Sequence, residues 1–166
     1  MRLEAMALVI PHVESHPNRV SFEGVLTMVN TASDKAPAGA RGHRVMLTRE
    51  AAEKALPSLL GMGVDYRPGW DGHDARRKIG VLTEATLKGN RLVVRGYLYA
   101  RDFPEVASAI NAKSADALGM SYELADARVE DMRADIWKLT RVTFTGAAIL
   151  LREKAAYRET SFRMAS

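Results

Sequence analysis

Apolar and polar positions partly alternate over residues 20–29, Val-Ser-Phe-Glu-Gly-Val-Leu-Thr-Met-Val, and the β-branched content of that stretch predicts a first strand. Residues 30–42, with Ser, Asp, Pro and two glycines, predict a surface loop. A short strand over 44–47 follows, and Thr48 is placed to cap a helix beginning at Arg49, with Pro57 ending or kinking it. The turn Gly61-Met62-Gly63 leads through Val64-Asp65-Tyr66 into a polar loop over 67–77. Two strand-like runs, 78–87 and 91–99, are joined by Lys88-Gly89-Asn90, a strong hairpin signal. Asp102 is the expected cap of a helix with Pro104 in its first turn and Val106, Ala107 and Ile110 on one face. Further strands are predicted over 117–124, 136–144 and 147–151, and the residues from Arg152 onward are polar and basic.

Six or seven strands, two helices and no βαβ rhythm predict an α+β, mostly β fold. The expected architecture is a largely antiparallel, barrel-like sheet with a few flanking helices. It occupies residues 20–151 as one domain, between an N-terminal extension over 1–19 and a polar C-terminal tail over 152–166. With 166 residues, 47% of them hydrophobic and 27% charged, the chain is large enough to bury a core.

The absence of cysteine excludes a disulfide framework, a cysteine nucleophile, thiolate zinc sites and iron–sulfur ligation. The formal net charge of +4, from 24 Lys and Arg against 20 Asp and Glu, is spread without a run of five like charges and names no specific nucleic-acid partner. The apolar N-terminal stretch contains Glu4 and stops at Pro11, too short and too charged for a signal segment or a membrane span. A soluble, cytoplasmic protein with no membrane partner is therefore expected.

Two segments carry candidate chemistry. His73 lies in Trp70-Asp71-Gly72-His73-Asp74-Ala75-Arg76-Arg77-Lys78, a setting too turn-rich for a core histidine and suited to a solvent-reachable general base at the start of a hairpin. In Leu118-Gly119-Met120-Ser121-Tyr122-Glu123-Leu124, strand periodicity puts Gly119, Ser121 and Glu123 on one face. Glycine two residues before the serine leaves room on that face for another backbone. A solvated strand face and a loop histidine are the plainer readings of each segment alone. His12 and His16 have the spacing of a helical metal pair, but Pro11 and Pro17 bracket them. Asp71, His73 and Asp74 lack a second cluster to complete a metal site. No metal and no cofactor are expected.

In their succession these segments resemble the prohead, or capsid maturation, serine proteases of tailed phages, which are related to the herpesvirus assemblins. The resemblance runs from about residue 20 to 151. It takes in Val20-Ser21-Phe22-Glu23-Gly24, Val45-Met46-Leu47-Thr48, the His73 loop with Ile79-Gly80, Gly119-Met120-Ser121 and Leu139-Thr140-Arg141-Val142-Thr143. It implies a herpesvirus-protease-like fold, Ser121 as nucleophile, His73 as general base and a third group orienting the imidazole. The herpesvirus relatives use a second histidine after the serine, whereas the four histidines here are His12, His16, His43 and His73. Phage relatives often carry an acidic residue where this chain has Arg141. Glu123, Asp135 and the uncharged Thr143 are the candidates left for the orienting role, and Asp135 is preferred because a carboxylate is the common means of fixing the tautomer. Gly119, Gly146 and a turn bearing Arg152 are the suggestions for oxyanion stabilisation.

The implied activity is that of a serine endopeptidase cleaving scaffold and major capsid proteins, and itself, inside the assembling prohead in the host cytoplasm. Homo-oligomerisation is left open. The alternatives are a catalytically silent member of the fold acting in capsid assembly and an unrelated β-rich binding module.

Overall fold

A computed structural model describes residues 15–165, so His12 and the apolar N-terminal stretch lie outside the described residues. The strands are β1 (Val20–Met28), β2 (Arg44–Leu47), β3 (Gly63–Asp65), β4 (Lys78–Lys88), β5 (Arg91–Leu98), β6 (Leu118–Val129), β7 (Ile136–Leu151) and β8 (Ser161–Met164), with helices α1 (Arg49–Leu59) and α2 (Pro104–Asn111). All eight strands form one sheet, in the order β2-β7-β3-β4-β5-β1-β8, with β6 paired to β7.

The mostly β expectation holds, with eight strands in place of six or seven. The sheet is mixed: β2 and β3 both run parallel to β7, Arg44 facing Ile136 and Val64 facing Ala147. Both are very short, four and three residues, so neither shows a periodicity that would fix its direction. Helix α1 connects them and packs against β7. Thr48 caps it as expected, its hydroxyl oxygen accepting the Ala51 N–H at 3.1 Å, while Ala51, Ala52, Ala55 and Leu59 are buried. Pro57 does not end the helix, which runs on to Leu59. There the Ser58 hydroxyl donates to Ala55 O at 2.6 Å and accepts the Phe144 N–H at 2.9 Å, tying the last turn to β7.

The β4–β5 hairpin forms as predicted, with Lys88 opposite Arg91 and Gly89 taking a positive φ of 59° at the turn. Asp102 is not the cap of α2. That position is Phe103, without a side-chain bond, and the Asp102 carboxylate instead accepts the Asn18 side-chain N–H at 2.8 Å. The two strands predicted over 136–144 and 147–151 are one 16-residue strand, with Gly146 extended inside it.

The C-terminal residues are not a free tail. A 3-10 turn over Arg152–Lys154 leads to β8, which pairs antiparallel with β1. Buried Tyr157 donates its hydroxyl to Thr31 O at 2.8 Å, and buried Phe162 packs against Phe22 with ring centroids 5.0 Å apart and the planes tilted by 35°. These apolar residues are too widely spaced for the sequence to show a strand. The core runs from Phe22, Leu26 and Val94 through Leu82 and Val64 to Phe144 and Ile149. On β6, Met120 reaches the inner face of β1 where Gly24 has no side chain to obstruct it, so the sheet curls toward closure. No described helix is long and apolar enough to cross a membrane.

Candidate active site

Ser121 sits near the start of β6, opposite Ala148 of β7, and Glu123 opposite Gly146. The alternation read from sequence is realised. Leu118 and Met120 enter the core, while Ser121 and Glu123 share the side that meets the loop between β3 and β4. Tyr122 turns the other way and packs edge-on against Phe144 at 5.5 Å. Burial pushes its phenol up to about 12, against a Thr27 hydrogen bond that works in the opposite sense, so the group stays neutral.

The loop carrying His73 is anchored at its middle. Gly69 and Trp70 adopt positive φ of 92° and 56°, the Trp70 carbonyl accepts the Leu151 N–H at 2.8 Å, and the indole is buried beside Tyr66 at 5.1 Å. A left-handed tryptophan is held only by such surrounding contacts. After His73, Asp74 donates its main-chain N–H to Asp65 Oδ1 at 3.1 Å. The Arg76 main-chain N–H is the largest influence holding the Asp74 carboxyl below its usual range. The Arg76 charge and the Arg76 and Arg77 side chains add to it, against a smaller opposing effect of desolvation.

These two supports bring residues 48 apart in sequence into contact: His73 Nε2 lies 3.0 Å from Ser121 Oγ. The other ring nitrogen faces two carboxylates, Nδ1 being 3.1 Å from Glu123 Oε1 and 3.7 Å from Asp65 Oδ1. Acceptors on that side place the neutral ring's proton on Nδ1, leaving Nε2 to accept from the serine hydroxyl. The Glu123 carboxylate stands off the Nδ1–H direction, so Nδ1 is close to an acceptor without an aligned bond.

Asp65 has no exposed surface, a state that a carboxylate tolerates only with partners. It has the Asp74 N–H and Lys78 Nζ, the latter 3.4 Å from Oδ2. Asp65, His73 and Glu123 each offer a donor atom within 4.8 Å of the others. Lys78 already supplies positive charge to this cluster and Nε2 is spent on Ser121, so the set reads as a hydrogen-bonding centre in which one of the two carboxylates is offset.

Of the sequence-predicted site residues, the structure brings His73 and Ser121 together and leaves Asp135 elsewhere. Asp135 is exposed just before β7, at the far end of that strand from Ala148, with its main-chain oxygen 3.1 Å from His43 Nδ1. Thr143 faces Ala125, beyond a register shift from Glu123. The space over Gly119 is taken by the protein's own Thr160 side chain and Arg152 main chain. Arg152 commits its N–H to Ala117 O at 2.9 Å and its Nε to Thr160 O at 2.8 Å. The burial of Asp65 leaves no mark in the sequence, because a three-residue strand gives no burial pattern. The one available signal was an acid between Val64 and Tyr66 with a lysine at the start of the next strand.

No protein-family model and no curated protein matches the chain. Among solved structures it is similar to the bacteriophage T4 capsid assembly protease gp21, at 14% identity and TM-score 0.57, covering 84% of this chain and 87% of that one. It is also similar to KSHV protease in complex with a hexapeptide phosphonate inhibitor, at 11% identity and TM-score 0.54, covering 89% of this chain and 65% of that one. The resemblance carried by the succession of strands, His73 loop and Ser121 strand therefore has its counterpart in three dimensions: the fold of this chain is the one that the phage T4 capsid assembly protease shares with KSHV protease.

Proposed function

We propose that this chain is a serine endopeptidase of phage capsid maturation. The observation that carries the proposal is the 3.0 Å approach of His73 Nε2 to Ser121 Oγ within a protease fold. Ser121 Oγ attacks the scissile carbonyl carbon as its proton passes to Nε2, and the protonated imidazole then gives that proton to the departing amine. Water, deprotonated by the same nitrogen, attacks the acyl-serine ester and frees the enzyme. Glu123, at 3.1 Å from Nδ1, replaces Asp135 as the group that fixes the tautomer and stabilises the imidazolium. Scaffold protein, the major capsid protein and the chain itself are the proposed substrates, inside the assembling prohead in the host cytoplasm.

The test is incubation with the cognate capsid and scaffold proteins, wild type against Ser121→Ala, with mass analysis of the products. Defined fragments are expected from wild type alone, and identical product patterns from both proteins contradict the proposal. A second reading, a silent assembly protein of the same fold, draws on the unaligned Nδ1. It predicts no cleavage by either protein.

A further inference from the structure

Lys78 is received by two glycines. A side chain on Gly63 would overlap its aliphatic stem, meeting Cδ at 2.6 Å and Cε at 3.1 Å. A methyl group on Gly146 would stand 3.4 Å from Nζ and 3.2 Å from Glu123 Oε2. The β3–β4 pair changes register between Val64 and Asp65, and the shift sets Asp65 opposite Lys78. The ammonium is thus led over β3 to a point beside both carboxylates that face His73.

The charged groups around the imidazole come from four segments: Asp65 on β3, Lys78 on β4, Glu123 on β6, and in its own loop Asp74, whose carboxylate engages Arg76 and Arg77. Each carboxylate close to the ring favours its charged form, and a charged ring cannot accept the serine proton. We propose that Lys78 is a positioning residue that gives the two carboxylates different jobs. Paired with the ammonium, Asp65 anchors the His73 loop through the Asp74 N–H, and Glu123 is left as the acceptor for Nδ1. The imidazole then faces one net negative charge and stays available as a base. The catalytic consequence rests on the protease reading; the charge balance does not.

The test follows the titration of the His73 ring by nitrogen-15 NMR in a Ser121→Ala background, where activity plays no part. Removing the ammonium with Lys78→Met favours the charged ring and is expected to raise its titration by about one pH unit, a moderate value because the lysine is partly exposed. Lys78→Arg restores it, and Asp65→Asn shifts it the other way. In the Ser121 enzyme the acidic limb of the kcat/KM profile moves up by the same amount, about a tenfold loss of rate below the limb. Folded Lys78→Met and Asp65→Asn proteins whose His73 titrations both stay within about 0.2 unit of the parent overturn the inference, whether or not Asp65 itself takes up a proton. Lys78 is 39% exposed, and Lys78→Met keeps an unbranched stem over Gly63 while removing only the charge from buried Asp65. A shift without peptidase activity sinks the protease reading and leaves the charge balance standing.

Discussion

The two ends of β7 each hold a histidine, in opposite circumstances. At the C-terminal end, His73 lies across from Ala148 by way of Ser121, with a hydroxyl on one nitrogen and two carboxylates near the other. At the N-terminal end, His43 stacks on Trp137 at 4.4 Å and meets only the main-chain oxygen of Asp135. Both imidazoles have an aspartate or glutamate for a neighbour, but only the first has carboxylate oxygens at the ring. A carbonyl oxygen orients a ring; a carboxylate also stabilises the charge that the ring acquires when it takes a proton. On the proposed reading, the difference between a structural histidine and a base lies in what terminates the second nitrogen.

The largest effect expected from breaking this contrast is at the first end. Ser121→Ala or His73→Ala should each lower peptidase activity by about 10⁴-fold or more, and the double variant should be hardly worse than either, because the pair acts as a unit. His43→Ala should leave kcat/KM within about twofold, measured on the same substrate. Next, Phe144→Ala empties the fully buried middle of β7, which joins the two ends, and should cost about 3–5 kcal/mol in denaturant unfolding. Sharper still is the exchange of carboxylates: Glu123→Gln should reduce kcat by about 100-fold or more, and Asp135→Asn should change nothing measurable. Equal effects of the two substitutions would erase the distinction between the ends of the strand.

The smallest effect concerns the loop that presents His73. The Asp74 carboxyl is held below its ordinary value of 3.8, so its contribution to stability is fully present above that pH and is lost as pH falls through the lower folded value. Asp74→Asn should therefore lower the melting temperature slightly at neutral pH, and the gap to wild type should close in acid below the usual carboxylate range.

Much of the first end was legible in sequence because it is built from local signals. The Lys88-Gly89-Asn90 turn, the Thr48 cap and the alternation through Ser121 each declare themselves within a few residues, and the face shared by Ser121 and Glu123 follows from strand geometry alone. What escaped depends on long-range pairing. Parallel β2 and β3 are too short to state a direction, and β8 is defined by its pairing to β1 and by a single buried apolar residue, Phe162. The choice between Glu123 and Asp135 turned on distance along β7, and on a strand that continues through Gly146 where the sequence suggested two shorter ones. Asp65 was hidden for the same reason. Its burial is set by β4 and β7 on either side of it, and its charge is made tolerable by Lys78 and the Asp74 N–H.

The proposed activity rests on Ser121 being a nucleophile activated by His73. A fluorophosphonate forms a stable adduct only with a serine whose hydroxyl proton can be taken by a neighbouring base. Treatment of the intact chain followed by peptide mass mapping should show one adduct, on Ser121, and none in the His73→Ala protein. An unmodified Ser121 in folded wild type, or labelling that survives His73→Ala undiminished, would contradict it.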